Sequence, residues 1–110
     1  MQRYNFMNAG SIHDIPIGRA KRISCNGSSF AVFRETFGHF YVFQDDVPQC
    51  EASLSNGTIE KDKIKLRDGH TVDLHTGRFD NTGLFVRSFN AWVENGFILF
   101  TIGALTTGIA

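Results

Sequence analysis

Helical periodicity is missing from the 110-residue chain, because no window of about a dozen residues keeps an apolar stripe at three-four spacing without a Gly, a Pro or a β-branched run. An excess of one charge is missing as well, since 11 Lys and Arg balance 11 Asp and Glu. The uncharged stretch 97–110 is shorter than the roughly 20 residues of a membrane helix, and Gly103 and Gly108 interrupt it. These absences argue against a helical bundle, a general nucleic-acid binder and a membrane-spanning protein.

Cysteine is scarce, with only Cys25 and Cys50 in the chain. The first ten residues contain no apolar stretch long enough for a secretory signal. Two thiols without such a signal are typical of a reduced cytosolic protein and not of a disulfide scaffold. We therefore expect a cytoplasmic protein, and its mass of 12.3 kDa suits a single domain over 1–110.

Short segments rich in Val, Ile and Phe, separated by turn dipeptides, predict an all-β domain. The predicted hairpins join 20–25 to 30–34, 30–34 to 40–44, 64–67 to 70–74, and 84–94 to 97–101. Asn26-Gly27, Asp68-Gly69 and Asn95-Gly96 tolerate the positive φ of tight turns. We expect a meandering antiparallel sheet or small barrel, with a core over about 15–101 between a short N-terminal tail and an apolar C-terminal tail.

The segment 45–55 is neither a strand nor a plain turn. Pro48 fixes its own φ and restricts Val47, so this loop is expected to be stiff. The adjacent carboxylates Asp45 and Asp46 are interpreted as a solvated turn and not as an acid/base couple. Stiff loops on a rigid scaffold often carry binding residues, which makes this loop the first candidate for a site.

Four segments, taken in order, resemble a Rieske ferredoxin. They are 40–46, Val47-Pro48-Gln49, Leu54-Ser55-Asn56-Gly57, and 68–79 with its Asp73-Leu74-His75-Thr76-Gly77. The corresponding family pattern reads Cys-Pro-His, Leu-Ser-x-Gly, and Cys-Pro-x-His-Gly ahead of Phe-Asp-Leu-x-Thr-Gly. The resemblance extends over about 15–101 and implies Rieske-like antiparallel sheets that form a small incomplete barrel or sandwich.

The same resemblance places the family's cluster ligands at Val47, Gln49, Lys65 and Asp68, with the usual spacing preserved. A Rieske cluster requires two thiolates and two neutral imidazoles. Valine has no lone pair, a glutamine amide is a poor ligand, and lysine is protonated near neutral pH. The two-iron two-sulfur cluster expected from the family therefore lacks its ligands, and we expect no cofactor. Instead, Lys65 is expected to pair with Asp68 and close the gap.

The resemblance implies a cluster-less accessory or docking subunit of an oxidoreductase system, since small subunits of assimilatory nitrite reductases resemble Rieske ferredoxins while lacking the ligands. The expected partner is a larger oxygenase or reductase component, bound at the family's cluster-bearing tip. The expected docking residues are Pro48, Cys50, Arg67, Gly69 and His70. The apolar tail from Gly103 onward is a candidate contact between copies of the chain in a homo-oligomer.

A second hypothesis is a small enzyme or ligand-binding protein that reuses the vacated cluster pocket, with Cys50, Asp68 and His70 as its polar groups. A cavity of several hundred cubic ångströms between the two loops would favour it. No Ser, His and acid stand at an identifiable spacing, and no Cys-x-x-Cys or His-x-x-x-His motif occurs. We therefore expect no catalytic residue and no metal site.

Basic side chains alternate along one segment, at Lys61, Lys63, Lys65 and Arg67. Strand alternation would place all four on one face, opposite Ile64 and Leu66. The pattern predicts a solvated strand face, with a docking surface for an acidic protein as the alternative.

Overall fold

The computed structural model describes residues 6–25, 27–46, 53–80 and 82–101. The strands are β1 Phe6–Ser11, β2 Ala20–Cys25, β3 Ser28–Arg34, β4 Phe40–Gln44, β5 Thr58–Glu60, β6 Lys63–Lys65, β7 Thr71–Asp73, β8 Ser88–Phe89, β9 Ala91–Glu94 and β10 Phe97–Thr101. Two single 3₁₀ turns, Ile12–Asp14 and Leu54–Asn56, are the helical elements of the described residues. None of the helices in those ranges is long and apolar enough to cross a membrane.

The strands form three antiparallel sheets. Sheet A has the order β1-β10-β9, sheet B the order β2-β3-β4-β8, and sheet C the order β5-β6-β7. No closed barrel forms among the described residues, so the sheets make an open all-β arrangement. The predicted all-β class is confirmed.

Sheet B is the central layer, because its strand β3 is buried on both faces. Ala31 and Phe33 pack into a core shared with sheet C, whereas Phe30 and Val32 pack into a second core shared with sheet A. Successive side chains of a strand point to opposite faces, so four consecutive apolar residues serve two cores at once. The core toward sheet C contains Ala31, Phe33, Phe43, Leu54, Ile64, Leu66, Val72, Leu74, Phe79 and Val86.

The four predicted hairpins are present, with β2–β3, β3–β4, β6–β7 and β9–β10 paired as expected. The continuous strand predicted over 84–94 is wrong. Within that range β8 pairs with β4 and β9 pairs with β10, and the chain changes sheet at Asn90. The third strand of sheet C, β5, was not predicted; it turns into β6 through Lys61, which has a φ of 59°.

The N-terminal tail expected before residue 15 is also wrong, because β1 pairs with β10 along most of its length. The register shifts between Asn8 and Gly10, and Gly10 has a φ of 106°. Met7 and Ala9 face the core ahead of this bulge, but the exposed face of β1 begins with another apolar residue, Phe6, and the strand then ends in Gly10-Ser11. The strand therefore carries almost no periodic signal in its sequence.

Candidate functional site

The second of the two loops that would carry cluster ligands is the tight turn between β6 and β7. Its ends are closed by Leu66 N–H, which donates to the carbonyl of His70 at 2.9 Å, and by Gly69 N–H, which donates to the carbonyl of Leu66 at 3.1 Å. Leu66 anchors the turn in the core, and Gly69 has a φ of 95° that favours glycine. Lys65, Arg67, Asp68 and His70 are held around this turn with their side chains exposed.

Asp68 and His70 form a local pair at the apex of this turn. Oδ1 of Asp68 accepts a hydrogen bond from the backbone N–H of His70 at 3.0 Å, and it also lies 3.0 Å from Nδ1 of the His70 ring. The same ring packs edge-on against the buried Phe79 at 6.0 Å between ring centroids. The carboxylate and the aromatic ring together fix the orientation of an imidazole whose side chain is 42% exposed.

The expected ion pair between Lys65 and Asp68 is not among the contacts of the described residues. Lys65 ends β6 with its side chain exposed, and Asp68 orients His70 instead. Sequence spacing alone could not decide whether Asp68 pairs with Lys65 or with His70. Lys65 is three residues before Asp68 and His70 is two residues after it, so either side chain could contact the carboxylate.

The first loop begins at Asp45, and Val47, Pro48, Gln49 and Cys50 lie outside the described residues. Asp45 itself is fully buried, which corrects its interpretation as part of a solvated turn. Its carboxylate accepts hydrogen bonds from the backbone N–H of Ser55 at 2.7 Å and from the Ser55 hydroxyl at 3.0 Å, and it pairs with Arg22 at 3.1 Å. One side chain thus joins the two ends of the loop.

The alternation of the predicted basic face is confirmed, since Ile64 and Leu66 are buried and the basic side chains between and beside them are exposed or half-buried. The prediction that all four basic residues lie on one strand is wrong. Lys61 lies in the β5–β6 turn and Arg67 in the β6–β7 turn, so both are outside β6. Lys63 Nζ lies 3.0 Å from Oδ1 of Asp80 and 3.8 Å from Oδ2 of Asp73. These carboxylates neutralise the centre of the predicted patch.

The motif residues that the sequence shares with Rieske ferredoxins have identifiable structural roles. A Cβ on Gly57 would lie 2.7 Å from Cγ2 of Ile64, and a Cβ on Gly77 would lie 2.6 Å from the carbonyl oxygen of Val86. Leu54 and Leu74 are fully buried. The carboxylate of Asp73 accepts the backbone N–H groups of His75 and Thr76 at 2.8 and 3.0 Å, which shapes the turn after β7.

No family model matches the sequence, and no curated protein matches it. Among solved structures, a Mycobacterium tuberculosis protein described as the small subunit of an NADH-dependent nitrite reductase is similar, with a TM-score of 0.83 at 18% identity. The similarity covers 94% of this chain and 100% of that one. The chain has a Rieske-like fold. The Sphingomonas yanoikuyae B1 ferredoxin is similar with a TM-score of 0.78 at 16% identity, over 90% of this chain and 100% of that chain.

A third similar structure is a complex of reduced oxygenase and oxidized ferredoxin in carbazole 1,9a-dioxygenase. Its matching chain has a TM-score of 0.76 at 22% identity, over 90% of this chain and 94% of its own. At these identities the likeness shows the Rieske-like fold, and the chemistry of this chain must be argued from its own residues.

Those residues do not fit a Rieske cluster. The Lys65 ammonium has no free lone pair, and the Asp68 carboxylate is engaged by the backbone and ring of His70. Neither supplies the thiolate or imidazole that the cluster requires. Within the ranges that the structure describes, no group of three or more His, Cys, Asp and Glu side chains could hold a metal ion.

The alternative of a reused cluster pocket depends on a cavity between the two loops. Grooves of about 340, 440 and 290 Å³ are present, and none of these three is lined by residues 65–70. Cys50, the third polar group of that hypothesis, lies outside the described residues. The β6–β7 half of the tip is a turn closed by its own backbone hydrogen bonds.

Proposed function

We propose that this chain is a cluster-less, Rieske-like accessory or docking subunit of an oxidoreductase system of the oxygenase or nitrite reductase type, and that it does not itself carry electrons. The observation that supports this proposal is a division among the motif residues. Gly57, Leu74 and Gly77, which the fold needs for packing, are retained, whereas the four ligand positions carry side chains that cannot replace two thiolates and two imidazoles.

The proposed partner is a larger oxygenase or reductase component, which the subunit would meet in the cytoplasm. One similar structure is itself a complex of an oxygenase with a ferredoxin. We propose that contact involves the tip, with Pro48 and Cys50 on the first loop and Arg67, Gly69 and His70 on the second. The Asp68 carboxylate holds the exposed His70 ring in one orientation, so the ring loses little conformational entropy on binding.

The cofactor part of the proposal is tested by analysis of iron and acid-labile sulfide in anaerobically purified protein, before and after incubation with ferrous iron and sulfide. A Rieske ferredoxin treated in parallel serves as the positive control. We expect no stoichiometric iron and no visible absorption from this chain. A brown protein with two irons and two sulfides per chain would refute the proposal.

The docking part is tested by affinity purification at native expression level, followed by binding measurements with the captured oxygenase or reductase component. Arg67→Glu and His70→Glu should each weaken binding, whereas Arg19→Glu, an exposed residue outside the tip, should not. Equal binding by all three variants would place the contact elsewhere.

We further propose that the apolar tail 102–110 mediates contact between copies of the chain. Sedimentation velocity of the full chain and of a chain ending at residue 101 tests this point. Self-association that is unchanged by the truncation would contradict it.

A further inference from the structure

The face of sheet A that points away from sheet B is apolar. Ile98 and Phe100 of β10 are buried in the core between the two sheets. Side chains alternate along a strand, so Phe97 and Leu99 lie on the opposite face. Trp92 of β9 is opposite Leu99 in the pairing register and shares that face. An antiparallel sheet with one face in water normally carries polar side chains there, and this face departs from that pattern.

The first strand of the sheet completes this apolar surface. Phe6 of β1 is opposite Thr101 of β10, and Thr101 is on the same face as Leu99. The rings of Phe6 and Trp92 belong to the two outer strands of the sheet, and their centroids are 6.3 Å apart. The two rings therefore reach toward each other across β10. We call the surface formed by Phe6, Trp92, Phe97 and Leu99 the sheet A patch.

The sheet A patch is open to solvent in the single chain, and its strands carry no cation. Phe6 is 56% exposed and Phe97 is 46% exposed. β1, β9 and β10 contain no Lys and no Arg, and their one acidic residue is Glu94. Oε2 of Glu94 accepts a hydrogen bond from the indole N–H of Trp92 at 3.2 Å. The polar group of Trp92 is thus satisfied within the chain, which suits its ring to packing against an apolar surface.

The charge of the patch distinguishes the kinds of partner that fit it. Docking between different proteins commonly uses complementary charges, which give specificity, and the three strands of the patch offer only Glu94. Interfaces between copies of one chain are more apolar than transient interfaces, and a two-fold axis brings the same surface of both copies together. The composition of the patch therefore fits a second copy of the chain.

The chain that follows the patch is also apolar. β10 ends at Thr101, which is opposite Phe6 on the patch side of the sheet. Residues 102–110 lie outside the described residues, and their sequence contains no charged side chain. The tail that is proposed above to mediate contact between copies therefore starts at the margin of the patch. One continuous interface can include both.

The size of the patch indicates that the tail is needed as well. Three strands about 4.8 Å apart and about 17 Å long present roughly 250 Å². A specific interface buries at least about 500 Å² on each partner. Residues of standard interfaces bury about 30 Å² each, so the nine residues 102–110 would add roughly 270 Å². Patch and tail together reach the threshold, and neither reaches it alone.

We propose that the sheet A patch is the interface between two copies of the chain, related by a two-fold axis, with the tails 102–110 at its margins. This inference rests on the proposed role of the tail and adds the surface that the second copy contacts. Sheet B lies between sheet A and sheet C, and the β6–β7 turn of the tip belongs to sheet C. The dimer would therefore keep both docking tips available to the larger partner.

Trp92 is the only tryptophan of the chain, so its fluorescence reports on the patch. The full chain is diluted from about 1 mM to about 1 µM, the range in which small interfaces dissociate, and is followed by fluorescence and by sedimentation velocity. We expect the dimer to dissociate and the Trp92 emission to shift to longer wavelength at the same concentration, with stronger quenching by acrylamide. Dissociation without a change at Trp92 would overturn the patch as the interface and leave the role of the tail intact.

A chain ending at residue 101 separates the patch from the tail. We expect it to be monomeric at concentrations where the full chain is a dimer, with Trp92 as exposed as in the diluted full chain. A truncated chain that still dimerises with Trp92 shielded would contradict the role of the tail and support the patch. A full chain that stays monomeric at the highest concentration would overturn both. If its Trp92 is then exposed only by truncation, the tail covers the patch of its own copy.

Two phenylalanine substitutions provide a matched comparison. Phe97 is in the patch, and Phe37, which is 84% exposed, is in the turn before β4. Phe97→Thr acts twice in a two-fold dimer, so the dimer Kd should rise by about tenfold or more. Phe37→Thr should leave the dimer Kd unchanged within about twofold. Equal effects of the two substitutions would overturn the proposal.

Discussion

Nε of Arg22 lies 3.1 Å from Oδ2 of Asp45, and this contact joins an exposed guanidinium on β2 to a carboxylate that is completely buried. The same carboxylate accepts two hydrogen bonds from Ser55. Asp45 precedes the first loop of the tip and Ser55 follows it. The buried carboxylate therefore joins the two ends of the loop, independently of the residues within the loop.

Replacement of Asp45 by Ala should lower the free energy of unfolding by about 2 to 3 kcal/mol, because it leaves the Ser55 N–H without its acceptor and Arg22 without its buried partner. Asp45→Asn should cost less, since its amide oxygen can still accept the Ser55 N–H. The measurement is urea-induced unfolding. Asp46→Ala is the control, because Asp46 is 75% exposed and 3.9 Å from Arg22, and it should change stability by less than about 0.5 kcal/mol. Equal losses from Asp45→Ala and Asp46→Ala would contradict this account.

Gly77 and Gly83 provide a comparison of backbone strain with and without a steric clash. Both have positive φ, at 77° and 78°. A Cβ on Gly77 would lie 2.6 Å from the Val86 carbonyl oxygen, whereas a Cβ on Gly83 would meet nothing within 4 Å. Gly83→Ala should therefore cost about 1 kcal/mol for the left-handed backbone alone, and Gly77→Ala about 3 kcal/mol or more. Similar midpoints in thermal or urea unfolding for the two variants would show that the β7 turn tolerates a side chain.

A fall in pH should weaken the hydrogen bonds that join Asp80 to Lys63 and Thr71 of sheet C. The hydrogen bond from the Thr71 hydroxyl, followed by that from Lys63, lowers the pKa of Asp80 below its ordinary value of 3.8. A carboxyl group whose pKa is lower in the folded state stabilises the fold above its unfolded pKa, and it loses that contribution as the pH falls through the folded pKa. The stability difference between the wild type and Asp80→Asn should thus shrink as the pH falls below about 4.

Thr71→Val tests the cause of that shift. NMR titration should show the pKa of Asp80 moving upward toward its ordinary value in the variant, because the first of its hydrogen-bond donors is removed. Asp73, which keeps its donors His75 and Thr76, should titrate as in the wild type. An unchanged Asp80 titration would assign the shift to Lys63 instead.

Arg34 should hold the segment between β1 and β2 in place. Its Nη1 donates to the carbonyls of Ile12 and Ile15 at 3.2 and 3.3 Å, and its guanidinium carbon lies 5.8 Å from the centre of the Phe40 ring. Arg34→Met should speed amide exchange in residues 12–15 by about tenfold, because two hydrogen bonds are lost. Arg19→Met, at an exposed arginine, is the control. Exchange that is unchanged in both variants would show that packing of Ile15 alone secures the segment.

The amino-acid sequence alone determined the features that depend on neighbouring residues or on residue type. Asn95-Gly96 and Asp68-Gly69 specify their turns through backbone preference, so the hairpins around them were predictable. The proposal that Val47, Gln49, Lys65 and Asp68 occupy ligand positions without ligand-type side chains likewise rests on residue type. It follows once the motif is aligned, without any coordinates.

Only the tertiary structure decided the features that depend on contacts between distant parts of the chain. β1 is a strand because β10 pairs with it, although its sequence gives little periodic signal, since an apolar residue, Phe6, lies on its exposed face. Asp45 is buried because Arg22 and Ser55 meet it from separate segments, and its neighbour Asp46 is exposed with the same chemistry. The break at Asn90 arises because β8 and β9 pair with strands of different sheets, a competition that local preference does not encode.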